Sequence, residues 1–450
     1  MRLTVPPLSI LEDEGFSTEK DIFKRKQFGE RLANLFENSQ DNIVVALDAP
    51  WGEGKSTFIK MWQGYVQNQR ENKFKTIYFD AFANDYQKDP FIALTAELYS
   101  LLKDAKEEKK KEFKKKAGDA IKSMSRGALK IGIRSLSGGI LDGTIVDSVG
   151  KEISELAAEQ IDSIVADRLQ NSEEDKTALV HFKQYLQQLA KEHSNDNPII
   201  FIIDELDRCR PDFALELVEQ IKHIFSVQGI TFLLVQNRQQ LEASVKARYG
   251  NDVNASLYLQ KFVNIWFSLP RSSERYDDYG EKYLNFALKS MLDVSEEIKN
   301  TDLIELLREL VKAKKPSYRE IEQILSNVAL VHNMSFGATK YYPNYQTAIA
   351  FMCYLKASFP KTFEKVLKKD ITFNELIKES GFEWAEKDLE SEYGYITYML
   401  KEIKFEYADE DTRKKMLQSE EFKRSMLNSY HNGTSMLVQI ANMLSTMETR

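Results

Sequence analysis

Residues 42–57 read NIVVALDAPWGEGKST. The first six are a short apolar run rich in β-branched side chains, which predicts a buried strand. Residues 49–56 then match the phosphate-loop pattern G-x-x-x-x-G-K-[ST] except that Ala49 stands in the first glycine position. The chemistry explains the pattern. Backbone N–H groups from Gly52 to Thr57 must converge on one polyanion, and glycines permit the tight turn and the close approach. KSTFIKMW follows and predicts a helix whose positive end faces the same charge. The loop therefore sits between strand and helix, as the pattern requires. Trp51, Gly52, Glu53, Gly54, Lys55, Ser56 and Thr57 are the candidate nucleotide-binding residues. In this reading Lys55 neutralises β- and γ-phosphate oxygens, Ser56 ligates Mg²⁺ and Thr57 lies by the α-phosphate.

The second half of such a site is IIFIIDE, residues 199–205. An apolar strand ending in acids delivers Asp204 to the Mg²⁺ shell beside Ser56, and Glu205 to the attacking water. The pair points to hydrolysis rather than passive binding. The sequence has no N-K-x-D guanine-reading motif, which favours ATP over GTP. The next apolar run, ITFLLV at 230–235, ends in Gln236-Asn237-Arg238, and Asn237 is a candidate to sense the γ-phosphate or the water.

Working outward, residues 19–37 predict an amphipathic helix, 76–79 (TIYF) a strand, and 90–102, 152–169 and 212–225 helices. Residues 103–116 carry eight lysines and four acids, the pattern of a solvated helix or linker or of a basic contact to lipid or nucleic acid. Past Pro270 helical patterns dominate, with Pro316, Pro343 and Pro360 as breaks. The expected organisation is a lead-in helix over 1–40, a nucleotide-binding domain over 41–270 with an insertion at about 103–180, a helical lid over 271–340 and a helical region over 341–450.

Composition excludes several classes. At 450 residues, 42% hydrophobic and 29% charged, the chain can bury a core in two or three domains. A net charge of −7 excludes coating nucleic acid by bulk charge. Two cysteines cannot make a disulfide scaffold, and five scattered histidines lack metal-ligand spacing. The first residues lack a secretory pattern and no eighteen-residue apolar run occurs, so a cytoplasmic protein is expected, at most peripheral to a membrane.

Four stretches together resemble the KAP family of P-loop NTPases: APWGEGKST at 49–57, YFDAFAND at 78–85, IIDELDRCRPD at 202–212 and YLQKFVNIWFSLP at 258–270. SYREIEQILSN at 317–327 resembles the family's later arginine-bearing helix. The resemblance covers roughly residues 20–330. It implies an α/β, three-layer P-loop NTPase with a parallel sheet, an extra strand between the Walker A and Walker B strands, a helical lid and a helical C-terminal region. Residues 76–79 are the candidate for that extra strand. It also implies ATP-driven switching of a larger assembly, a homo-oligomer with an effector or partner protein, and a role in bacterial anti-phage defence. Arg319 would be a lid arginine touching phosphate. Arg208, Arg210 and Arg238 are finger candidates, because developing γ-phosphate charge wants a guanidinium. The chain departs from the family in Ala49, in Phe82 where tryptophan is usual, and in a charged insertion where members often span a membrane.

Two rivals remain at this level. One is a nucleotide-gated scaffold with little turnover, recognising protein or nucleic acid through residues 341–407, where fifteen aromatics lie among lysines. The other is an ABC-type DNA-repair-like ATPase, suggested by LSGG at 136–139. That signature should lead almost directly to the Walker B strand, yet 60 positions separate Gly139 from Ile199.

Overall fold

The computed structural model describes residues 1–6, 8, 10, 14–39, 41–68, 70, 75–87, 89–136, 154–193, 197–270, 279–292, 301–334, 342–386, 394–418 and 435–446, with backbone alone over 125–136 and 154–173. Ser137–Gly139 of the LSGG sequence lie outside them. The chain opens with α1 (Lys26–Asn38), β1 (Val44–Asp48), α2 (Lys55–Asn68) and β2 (Thr76–Asp80), then α3 (Ala81–Asn84) and α4 (Pro90–Tyr99). Two long helices, α5 (Glu107–Leu136) and α6 (Ser154–His193), precede β3 (Ile199–Asp204). Next come α7 (Pro211–Gln220), β4 (Ile230–Gln236), α8 (Arg238–Tyr249), α9 (Ala255–Leu259) and β5 (Ile265–Ser268).

The five strands are all parallel, in the order β2-β3-β4-β1-β5. Alternate strand residues feed two different cores. Val45, Leu47, Ile200, Ile202, Leu233 and Val235 pack with Phe36, Phe58 and Trp62 of α1 and α2. Val44, Ala46, Phe201, Ile203, Phe232 and Leu234 pack with α4 to α8 on the other face. The result is a three-layer P-loop NTPase sheet, covered on both faces as parallel sheets are.

The strand that lies between β1 and β3 is β4, not residues 76–79, which form the sheet edge as β2. Burial explains the difference. All seven residues of β4 are buried, as a central strand demands, whereas TIYFD alternates between buried and half-buried positions. β5 has no buried residue within its four positions and was not legible as a strand. The lead-in helix begins at Lys26 rather than at 19. Lys24 takes a left-handed φ of 50°, and the Asp21 carboxylate accepts from the N–H groups of Arg25 and Lys26 at 2.8 and 2.9 Å. The lysine-rich run is helical from Glu107, with Phe113, Ala117 and Ala120 buried in the core shared with Phe182 and Leu186.

Past Pro270 the described residues form only helices: α10 (Tyr279–Met291), α11 (Asp302–Lys314), α12 (Tyr318–Met334), α13 (Pro343–Ser358), α14 (Pro360–Leu367), α15 (Phe373–Glu379), α16 (Glu383–Glu386), α17 (Tyr395–Tyr407), α18 (Glu410–Met416) and α19 (Met436–Thr446). One apolar core runs through α10 to α15, α17 and α19, from Tyr279 to Leu444, with α13 buried on nearly every side. Among the described residues no helix is long and apolar enough to cross a membrane.

Glu402 of α17 is only 4% exposed in this helical core. Burial pushes its carboxyl up to about 8, with Asp302 and Glu406 adding to the rise and the hydroxyls of Tyr398 and Thr347 opposing it. The unfolded chain titrates this group near 4.5, so between that pH and about 8 the folded state holds a proton the unfolded state has lost. This group therefore makes stability fall as pH rises through that window. Glu402→Gln should flatten the curve of melting temperature against pH there and raise the melting temperature at about pH 8. An unchanged slope in thermal melts would remove this assignment.

Candidate functional site

The loop after β1 turns on two residues with left-handed backbone, Gly52 at φ 84° and Gly54 at φ 75°. Ala49 needs no such freedom. It is buried in the apolar face under α2, and its N–H donates to the Gln236 carbonyl at 3.2 Å. This accounts for the tolerated methyl at the first position of the pattern. Lys55 opens α2 and folds back across the loop, its Nζ donating to the carbonyls of Ala49 at 2.6 Å and Pro50 at 3.2 Å. Burial lowers the Lys55 pKa, while Asp207, Asp204 and Asp48 pull the other way and favour the ammonium.

Asp204 ends β3 with 1% exposure. Burial raises its pKa, opposed first by the Ser56 hydroxyl and then by the Glu205 N–H and the Tyr78 hydroxyl. The N–H of Glu205 donates to Oδ1 at 2.8 Å, and Tyr78 donates to Oδ2 at 3.0 Å. A buried carboxylate beside a serine hydroxyl is a hard-oxygen donor set suited to Mg²⁺. Glu205 adopts left-handed φ 59°, ψ 26°, a strained state for a side-chain-bearing residue and one often found at working sites. Its carboxylate pairs with Arg208 at 2.9 Å. Burial raises the pKa of Glu205, and Arg208 opposes that rise. The Trp51 indole N–H donates to Asp207, which ties the loop to the turn after β3.

A cavity of about 550 Å³ brings most of the candidates together: Trp51, Gly52, Glu53, Gly54, Lys55, Ser56, Thr57, Glu205, Arg208 and Arg319 all line it. Asp204, buried at the end of β3, and Asn237 do not. The Asn237 side-chain oxygen caps α8 by accepting from the Gln239 N–H at 3.1 Å. The neighbouring Gln236 is fully buried at the tip of β4, in register with Asp48, and neither of its amide atoms has a hydrogen-bond partner. Strand periodicity carries this distinction, since Gln236 continues the face of Phe232 and Leu234. Of the three finger candidates, Arg208 alone lines the cavity. Arg210 is bound to Asp85 at 2.8 Å, and Arg238 pairs with Glu242 at 2.8 Å and lies over the Trp266 ring at 4.6 Å.

Sequence reasoning missed the opposite wall. Arg25, 3% exposed, donates from Nη1 to the Glu53 carbonyl and from Nε to the Pro270 carbonyl, both at 3.0 Å. Its guanidinium sits 4.5 Å over Phe23, and Phe23 stacks on Tyr318 of α12 with centroids 4.5 Å apart. Tyr283 of α10 joins the stack at 4.7 Å from Tyr318. In sequence Arg25 is one of several cations in FKRKQF, with nothing to single it out. The first turn of α12 closes on the loop itself: a Cβ built on Gly52 would stand 2.9 Å from Arg319 Cβ. Ser317 and Glu320 fix that turn with reciprocal side-chain to backbone hydrogen bonds.

The sequence matches the family model described as "KAP family P-loop domain" over residues 25–335. No curated protein matches the chain. Two solved structures resemble it loosely. The Aeropyrum pernix ORC2 protein (ADPNP–ADP complexes) is 14% identical over 85% of each chain, with a TM-score of 0.35. Cdc6p from Pyrobaculum aerophilum is 11% identical over 99% of this chain and 97% of that one, with a TM-score of 0.37.

Gly52→Ala tests how the loop is built. The left-handed backbone costs an alanine about 1–2 kcal/mol, and its methyl meets Arg319. Chemical denaturation should show a loss of that order. A variant as stable as the parent would contradict the close approach of α12.

Proposed function

The chain belongs to the KAP family of P-loop domains, and on that footing we propose that it binds ATP with Mg²⁺ and hydrolyses the terminal phosphoanhydride bond. The carrying observation is that Lys55, Ser56 and Glu205 line one cavity, with the Ser56 hydroxyl near enough to the buried Asp204 carboxylate to oppose the rise of its pKa. Backbone N–H groups from Gly52 to Thr57 and the start of α2 hold the phosphates. Lys55 exchanges its two carbonyl partners for β- and γ-phosphate oxygens. Ser56 and Asp204 hold the metal, which when bound neutralises charge developing on the phosphates.

Glu205 takes the proton of the attacking water. Burial raises its pKa and so its basicity, and its left-handed backbone turns it out of the β3 alternation toward the cavity. Arg208 and Arg319 supply guanidinium charge to the γ-phosphate. The finer reading, resting on the family resemblance, is a cytoplasmic homo-oligomer whose turnover drives or resets an assembly with an effector protein in bacterial anti-phage defence. The helices after Pro270 act there as lid and partner-binding region.

One observation favours a second reading. Arg208 engages the Glu205 carboxylate at 2.9 Å, which holds the proposed base in an ion pair and suits a nucleotide-gated scaffold with little turnover. Its partner, protein or nucleic acid, would meet the C-terminal helices.

Lys55→Ala should abolish ATP binding in calorimetry of the folded chain; retained tight binding would refute the site. Glu205→Gln should keep ATP binding and slow phosphate release by about 10²–10⁴-fold. A wild-type rate no faster than that of Glu205→Gln would select the scaffold.

A further inference from the structure

Tyr78 lies on the edge strand β2, opposite Ile202 of β3, with Asp204 two residues further along on the same face. That diagonal spacing suits a tyrosine, whose ring spans the gap between neighbouring strands. The hydroxyl donates to Asp204 Oδ2 at 3.0 Å while the Glu205 N–H holds Oδ1 at 2.8 Å. The carboxylate is thus gripped from both sides, with the Ser56 hydroxyl nearby. The flanking Ile77 and Phe79 turn to the other core, so Tyr78 is the β2 side chain placed to make this contact.

We propose that Tyr78 is a positioning residue for the divalent cation: it fixes the rotation of the Asp204 carboxylate so that a lone pair is presented beside Ser56. The inference rests on the reading that Ser56 and Asp204 hold Mg²⁺ with the nucleotide. It assigns a task to the tyrosine of YFDAFAND that neither phosphate contact nor general-base chemistry requires. Without the hydroxyl, the buried carboxylate loses a donor and its plane is held from one side only. Partners of this kind, which touch a metal ligand rather than the metal, typically change metal affinity by about 10–100-fold when removed.

The test uses the full chain and ATP. Calorimetry measures ATP affinity in excess EDTA, and a Mg²⁺ titration at fixed ATP measures the cation concentration that half-restores tight binding. Tyr78→Phe, which keeps the ring and removes one oxygen, should raise that concentration at least about tenfold while leaving the EDTA affinity within about twofold. In an Asp204→Asn background the same substitution should add nothing, because Tyr78 acts through that carboxylate. Equal losses of affinity with and without Mg²⁺, an unchanged Mg²⁺ requirement, or additive losses in the double variant would each overturn the inference. A wild-type chain that binds ATP equally well in EDTA and Mg²⁺ overturns the cation reading itself, and that result is visible before any variant is made.

Discussion

A carboxylate with 1% exposure at the tip of a parallel strand is costly to keep, because burial strips it of water. Asp204 is tolerated there because two hydrogen bonds, together with the nearby Ser56 hydroxyl and Lys55 ammonium, replace the lost hydration. Each of these partners comes from a different place in the chain: Tyr78 from the edge strand, Ser56 from the first turn of α2, and Glu205 from the left-handed step after β3. The strand order makes that convergence achievable. With β4 between β1 and β3, the end of the central strand separates the phosphate loop from the acid by one strand's width, and α2 spans it. The packing of the sheet and the chemistry of the site are therefore one problem, solved by burying a charge only where its partners are already fixed.

What the sequence made legible is what is covalently local. A phosphate loop is eight consecutive residues, and its backbone geometry follows from which of them are glycines. The departure at Ala49 was readable as an anomaly but not as harmless, since its harmlessness depends on a φ and a neighbouring carbonyl that only the fold supplies. Strand order was not legible in the same way. Residues 76–79 precede β3 and residues 230–236 follow it, and chain order carries no information about which pairs inward. The uninterrupted apolar run of ITFLLV against the alternation of TIYF was the available signal. Choosing between Gln236 and Asn237 needed the phase of that strand, and Asn237 proved to be committed to capping α8. Arg25 was out of reach altogether, because its partners Glu53 and Pro270 are 28 and 245 positions away.

The helices after Pro270 share a core independent of the sheet, yet they are not remote from the site. Phe23, Tyr318 and Tyr283 form a continuous aromatic stack from the N-terminal segment to α12 and α10. Met1 and Arg2 bind the far ends of the same helices, through Asn333 and the Met291 carbonyl. The N-terminal residues thus connect the helical core to the nucleotide cavity at two points.

At Gly52 the phosphate loop offers α12 nothing larger than a hydrogen atom, and the first turn of that helix fills the room. Loop and helix cannot slide past one another without either a collision or a gap. Since α12 is welded into the same apolar mass as seven other helices, the curvature of a few glycine-rich residues and the attitude of that helical body constitute a single mechanical coordinate.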